Sequence, residues 1–226
     1  GGDNGTITIG YNDGNGAQSV ARTLTGSGVT PASISILGPD PYDFGTVATG
    51  ATVTATITLD NTGGFNATSV TEVALGGDFQ FTGGGGYPGT AGTCGATILG
   101  GANCTIEIEF TPPSTGLKLS NIDIQYDNGV GTVNSTRNVR GTGAAAALIT
   151  VTAANPFDFN NVTVNGTSTG TLTLNNTGAV DATLVGGTGL AAPFSFTGGS
   201  YPGGVGTCTC AIPAVASCTI AVNCAP

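Results

Sequence analysis

Six cysteines are the side chains of this sequence best placed to do chemistry. Cys94 and Cys104 enclose nine residues, and Cys208 and Cys218 repeat that spacing. Each second cysteine opens an alternating segment, CTIEIEF in one case and CTIAVNC in the other. An even, clustered set points to disulfides in an oxidising compartment, each adding about 2–3 kcal/mol through loop closure. Cys210 and Cys224 have no counterparts, because Ala96 and Phe110 hold those positions in the other copy. Alternation groups Cys208 with Cys210, and Cys218 with Cys224. A Cys210–Cys224 bond is therefore expected, and the swapped connectivity stays open. Zinc is a poor competitor without histidine or paired C-x2-C knuckles.

Other chemistry is sparse. With no histidine, a serine or cysteine nucleophile lacks its usual base. Glu107 and Glu109 alternate with Ile106, Ile108 and Phe110, which puts them on a solvated strand face rather than in an acid/base pair. The Asp-rich stretches YNDGNG and YDNG are turn formers and offer too few ligands for a calcium loop. Gly83–Gly86 is a glycine run, but no helix with a lysine follows to cradle phosphate. Lys118 is the only lysine; a Lys–Asn isopeptide bond, as in some surface sandwiches, has little support. The expectation is a non-enzymatic protein with no cofactor and no metal.

The elements that position these residues are read against an unusual composition. Among 226 residues, Lys plus Arg is 4, Asp plus Glu is 13 and the net charge is -9. So few cations exclude phosphate-neutralising contacts with nucleic acid and binding to an anionic membrane surface. Charged residues are only 8% of the chain, so Thr, Ser, Asn and Gly supply most of the polar surface, as in exported β-rich proteins. The start lacks a signal peptide's basic region and apolar core. AAAALITVTAA (144–154) is too short and Thr-rich to span a bilayer. The expectation is a mature or excised piece whose anchor, if any, lies outside it.

Internal repetition decides the organisation. YDFGTV (42–47) recurs as FDFNNV (157–162), and LDNTGGFNAT (59–68) as LNNTGAVDAT (174–183). NCTIEIEF (103–110) recurs as SCTIAVNC (217–224). The offset is 115 as far as Phe81/Phe196 and 114 from Tyr87/Tyr201 onward. TITIGYNDG (6–14) also aligns with NIDIQYDNG (121–129), and RTLTGSG (22–28) with RNVRGTG (137–143), both at 115. Gly1 then corresponds to Gly116 and Pro226 to Pro112, so the chain is out of phase with its repeat.

Alternation in ATVTATITL, CTIEIEF and SNIDIQY indicates half-buried strands, and NTGG, YPG and DNG mark turns between them. Seven or so strands in about 115 residues predict an all-β chain of tandem immunoglobulin-like sandwiches. Residues 31–143 would form a complete sandwich with strands A to G. Residues 1–30 would hold an orphan F–G hairpin, and 144–226 strands A to E without F and G.

FGTVATGATVTATITLDNTG, then CGATILGGANC, TIEIEFTPPSTG and a closing strand ending GTG, resemble the bacterial choice-of-anchor D repeats. Those repeats are similar in turn to the ASPM–SPD-2–Hydin group of immunoglobulin-like modules. The resemblance implies an exported, surface-associated and often tandem sandwich, with no catalytic residues to transfer. The second repeat departs from the pattern at Asn160-Asn161 and at NCAP.

A sandwich without F and G exposes an open sheet edge. Ile7, Ile9, Tyr11, Val20 and Leu24 of the hairpin would fill it, against Ile220 and Val222 of the receiving strand. Five such side chains contribute roughly 7–15 kcal/mol gross, reduced by the cost of ordering the segment. Insertion into the next copy makes a head-to-tail filament. Closure onto the chain's own 146–226 is disfavoured, since residues 31–143 intervene. The expected partners are copies of itself or adjacent repeats of one longer surface adhesin or stalk. The expected setting is extracellular. A hairpin left solvent-exposed, or closed within its own chain, would count against the assembly reading.

Overall fold

The computed structural model describes residues 1–84 and 86–226. Gly85, inside the glycine run, lies outside the described residues. The fold is all-β.

Two strands open the chain, β1 (Gly2–Asn12) and β2 (Ala17–Ser27). They pair antiparallel as a two-stranded sheet of their own. Asp13 closes the turn, its Oδ1 accepting the N–H groups of Asn15 at 2.8 Å and Gly16 at 2.9 Å.

Nine strands follow: β3 (Ile34–Ile36), β4 (Tyr42–Ala48), β5 (Val53–Asn61), β6 (Ala67–Ala74), β7 (Phe79–Phe81), β8 (Thr97–Ile98), β9 (Asn103–Phe110), β10 (Gly116–Asp127) and β11 (Thr132–Ala144). A 3-10 turn at Thr82–Gly84 follows β7. One sheet has the order β3-β5-β9-β7, the other β4-β11-β10-β6-β8. The count exceeds seven by two, because the first strand is split and because the two-residue β8 adds an edge to the second sheet. β3 pairs with β5 in one sheet, and the chain then crosses to run as β4 parallel to β11 in the other. The alternating residues of β5, β9, β10 and β11 meet between the sheets. Ile57, Leu59, Ile106, Ile108, Phe110, Ile122, Ile124 and Val139 form the centre of that core, each adding about 1.5–3 kcal/mol on burial.

The remaining strands are β12 (Ile149–Thr152), β13 (Ser168–Asn176), β14 (Ala182–Thr183), β15 (Phe194–Phe196), β16 (Ala211–Ile212) and β17 (Ser217–Cys224). The sheet β12-β13-β17-β15 repeats β3-β5-β9-β7. Its register repeats too: Val53↔Phe110 becomes Ser168↔Cys224, and Leu59↔Cys104 becomes Leu174↔Cys218. The second sheet is reduced to β14-β16, the counterpart of β6-β8. Residues 157–163, which match β4, form no strand, and neither do 184–189, which match the rest of β6. In the complete sandwich β4 pairs with β11 and β6 with β10. A strand holds its conformation through ladder bonds, so the two segments that lack these partners are the two that lose strand structure.

Candidate assembly interface

Both sandwiches carry the same clamp, unnoticed in the sequence reading. Asn61 is fully buried, and its Nδ2 donates to the carbonyls of Phe65, Ile98 and Leu99. Its Oδ1 accepts from Ser33 N at 3.0 Å and Gly63 N at 3.1 Å. Asn176 repeats this with Val180, Ile212 and Pro213 as acceptors and Leu148 and Gly178 as donors. The signal available was the recurrence of Asn-Thr-Gly at the repeat offset.

Cys94–Cys104 and Cys208–Cys218 form disulfides, with Cα–Cα distances of 4.9 and 4.8 Å. Tyr87 braces the first loop by donating to Gly95 O at 3.2 Å, and burial pushes its phenol up to about 12. Tyr201 occupies the same place in the second copy, raised by burial and then by nearby Cys210. The expected Cys210–Cys224 bond is not formed: Cys210 is exposed and Cys224 buried, both as free thiols. Six residue steps along the strand lead from Cys218 to Cys224, about 20 Å at ~3.3 Å each. Cys210 lies within ~7 Å of Cys208, which is held beside Cys218. The two thiols are thus at least about 8 Å apart at Cα, beyond disulfide reach.

The remaining polar candidates have structural partners. Glu107 Oε2 accepts from Thr82 Oγ1 at 2.7 Å and Ala91 N at 3.2 Å, and Glu109 accepts from Gln80. Lys118 Nζ lies 3.4 Å from Asp78 Oδ2 and donates to Ser114 Oγ at 2.8 Å. Asp43 is held below the usual carboxylate range by the Gly45 N–H and then by Arg140. Asp13 is lowered likewise by the turn N–H groups it accepts. Among the described residues, no three His, Cys, Asp or Glu side chains converge on a metal position, and no helix is long and apolar enough to cross a membrane.

The interface is built from two matching vacancies. β1–β2 has the register of β10–β11 residue for residue, Gly2↔Ser27 answering Leu117↔Thr142 and Asn12↔Ala17 answering Asp127↔Thr132. In the closed sandwich Ile122, Ile124 and Val139 are 0% exposed and Tyr126 is 5%. Their counterparts Ile7, Ile9, Leu24 and Tyr11 are 47%, 53%, 55% and 54% exposed, and Val20, opposite Ile9, is 59%. In the single chain the hairpin is solvent-exposed and the chain's own 146–226 does not receive it. That exposure counts against the assembly reading if it persists once copies meet, because the expected cover belongs to a second copy.

The receiving side mirrors this. Ile34, Ile36 and Phe79 are 5%, 3% and 2% exposed, but Ile149, Val151 and Phe194 are 36%, 54% and 43%. Of the two receiving residues read from the sequence, Ile220 is half-buried and Val222 already buried. The open contacts are instead Ile149, Val151, Phe157 and Phe194. Shifting the core residues of the first repeat by 115 would have identified them.

A cleft of about 370 Å³ lies among Val151, Ala153, Ala154, Asn155, Phe157 and Leu172. In the closed sandwich the matching place is held by β10–β11. Arg137 donates to Gly38 O there, Asn138 N to Asp40 Oδ1 at 3.2 Å, and Ile34 N to Tyr126 Oη at 3.0 Å. The corresponding pairs are Arg22 with Ala153, Thr23 with Asn155, and Tyr11 with Ile149.

No family model matches the chain, and no curated protein matches it, so the resemblance to choice-of-anchor D repeats rests on its motifs alone. Among solved structures, the chain is similar to a protein of unknown function from Porphyromonas gingivalis, at 12% identity and TM-score 0.38 over 87% of this chain and 84% of the other. It is similar to the Vibrio cholerae VesB protease at 16% identity and TM-score 0.36, over 50% of this chain and 32% of the other. The PapD-like domain 7 of human CEP192 aligns at 16% identity and TM-score 0.35, over 54% and 92%. These scores transfer no activity, and the sheet topology is what defines the fold.

Proposed function

We propose that this chain is a structural, non-catalytic subunit of an extracellular bacterial filament or surface fibre. Hairpin 1–28 of one copy inserts into the 146–226 sandwich of the next. The observation that carries this is the paired exposure of Ile7, Ile9, Tyr11 and Leu24 on the hairpin and Ile149, Val151 and Phe194 on the receiving sheet. Their counterparts are in one buried core in residues 31–143. Main-chain pairing would supply affinity, with alternate side chains filling the cleft. The contact is heterologous, so it propagates as an open chain of subunits. Two disulfides fit assembly in an oxidising compartment.

The second reading is a tandem-repeat adhesin or stalk, in which the same hairpin and receiving sandwich belong to consecutive repeats of one polypeptide. The resemblance to bacterial surface repeats favours it. Intact mass of the natural subunit under denaturing, reducing conditions separates the two. A mass near the 21.8 kDa of this chain is expected for copies joined non-covalently. A mass several times larger would transfer the function to the tandem array.

A further inference from the structure

The chain holds two hairpins of one register, 1–28 and 116–143, and two frames that could take them, 31–115 and 146–226. A subunit that polymerises by strand insertion must keep the first hairpin out of the first frame, or copies will swap strands through the wrong sandwich. The residues that differ between the two hairpins fall where such discrimination acts.

In the closed sandwich, Lys118 and Gly141 are opposite each other on the inward face of the hairpin. Lys118 meets Asp78 at 3.4 Å. Gly141 lies against Phe110, so close that a Cβ there would be 2.4 Å from the ring. On the outward face, Arg140 Nε reaches Asp43 Oδ2 at 2.9 Å. Hairpin 1–28 has Asp3 in place of Lys118, Thr25 in place of Arg140 and Leu24 in place of Val139. Placed in the 31–115 frame, Asp3 would face Asp78, Asp43 would lose its cation, and Leu24 would add a methylene at the fully buried Val139 position, in the same core as Phe110. Frame 146–226 is altered to match: Pro193 replaces Asp78, and Cys224 replaces Phe110. Gly170 replaces Ala55, and the Phe157 ring has moved over it, to 2.5 Å from where a Cβ would stand.

We infer that Asp3 and Leu24 sort hairpin 1–28 into the 146–226 sandwich and away from the 31–115 frame. The inference rests on the insertion reading above. Discrimination comes from a repulsive element as well as a fitted one. Like charges replacing an ion pair on a partly exposed surface give a few-fold bias, and one methylene of core volume gives about 2–10-fold more.

Trapping in the full chain tests it. The pairing Asp123↔Ala74 makes Thr8↔Gly189 the matched contact and Thr8↔Ala74 the mismatched one. Chains carrying Thr8→Cys with Gly189→Cys, or Thr8→Cys with Ala74→Cys, both in a Cys210→Ser background, are refolded with their native disulfides intact. Cross-linked multimers are then counted on a non-reducing gel. The matched pair is expected to give at least ~10-fold more multimer, and Asp3→Lys with Leu24→Val to narrow that ratio about tenfold. Both substituted residues are exposed in the single chain, so the variants keep its fold. Equal ladders from both pairs would overturn sorting while leaving insertion standing. So would a ratio unmoved by the double substitution. Multimers from neither pair would overturn insertion itself, and sorting with it.

Discussion

Asn61 and Asn176 each tie three carbonyls and two N–H groups from three chain segments to one buried amide. Truncation leaves those groups buried without partners, at about 1–3 kcal/mol each where water cannot reach. Asn176→Ala is therefore expected to destabilise residues 146–226 by roughly 3–5 kcal/mol, read as a lower urea midpoint for that sandwich. A change under about 0.5 kcal/mol, the size of an ordinary surface substitution, would show that the clamp is not needed. At this scale the sequence was unevenly legible. Spacing revealed Cys94–Cys104 and Cys208–Cys218, because a short loop brings its own ends together. It misled on Cys210 and Cys224, because alternation specifies a face and not the distance along it. It was silent on the asparagines, whose acceptors Ile98 and Ile212 are long-range neighbours.

Strands with alternating apolar residues, such as β5, β9 and β10, were readable because one buried face imposes a period of two. The splitting of the first strand into β3 and β4 was not, since a crossing between sheets leaves no periodic trace. Nor was the loss of strand structure at 157–163 and 184–189. FDFNNV reads like YDFGTV, but conformation here depends on a ladder partner that local sequence does not specify. The same dependence predicts ordering on assembly. In hydrogen exchange, amides at 157–163 and 184–189 of the unassembled chain should exchange rapidly, since few of their N–H groups have backbone partners. In assembled material they should become protected as Leu24 pairs beside Phe157 and Thr8 beside Gly189. Unchanged exchange in assembled material would mean that the hairpin does not enter this sandwich.

On the scale of the molecule, the repeat offset made both the hairpin and its complement visible, because equivalent core positions recur at a fixed distance. What the offset cannot specify is which body joins them, a matter of contacts between chains. With a net charge of -9, copies repel one another at long range, so association must come from apolar burial and main-chain pairing at the hairpin. Ile9 is the sharpest probe, being 53% exposed here while its counterpart Ile124 is fully buried. An aspartate at that depth without a partner costs several kcal/mol, about a hundredfold or more in association. Sedimentation velocity of the wild-type chain and Ile9→Asp across a concentration series tests the central claim most directly. The wild type should grow into head-to-tail oligomers with concentration while Ile9→Asp stays at 21.8 kDa. Identical behaviour of the two proteins, whether both monomeric or both assembled, would contradict it.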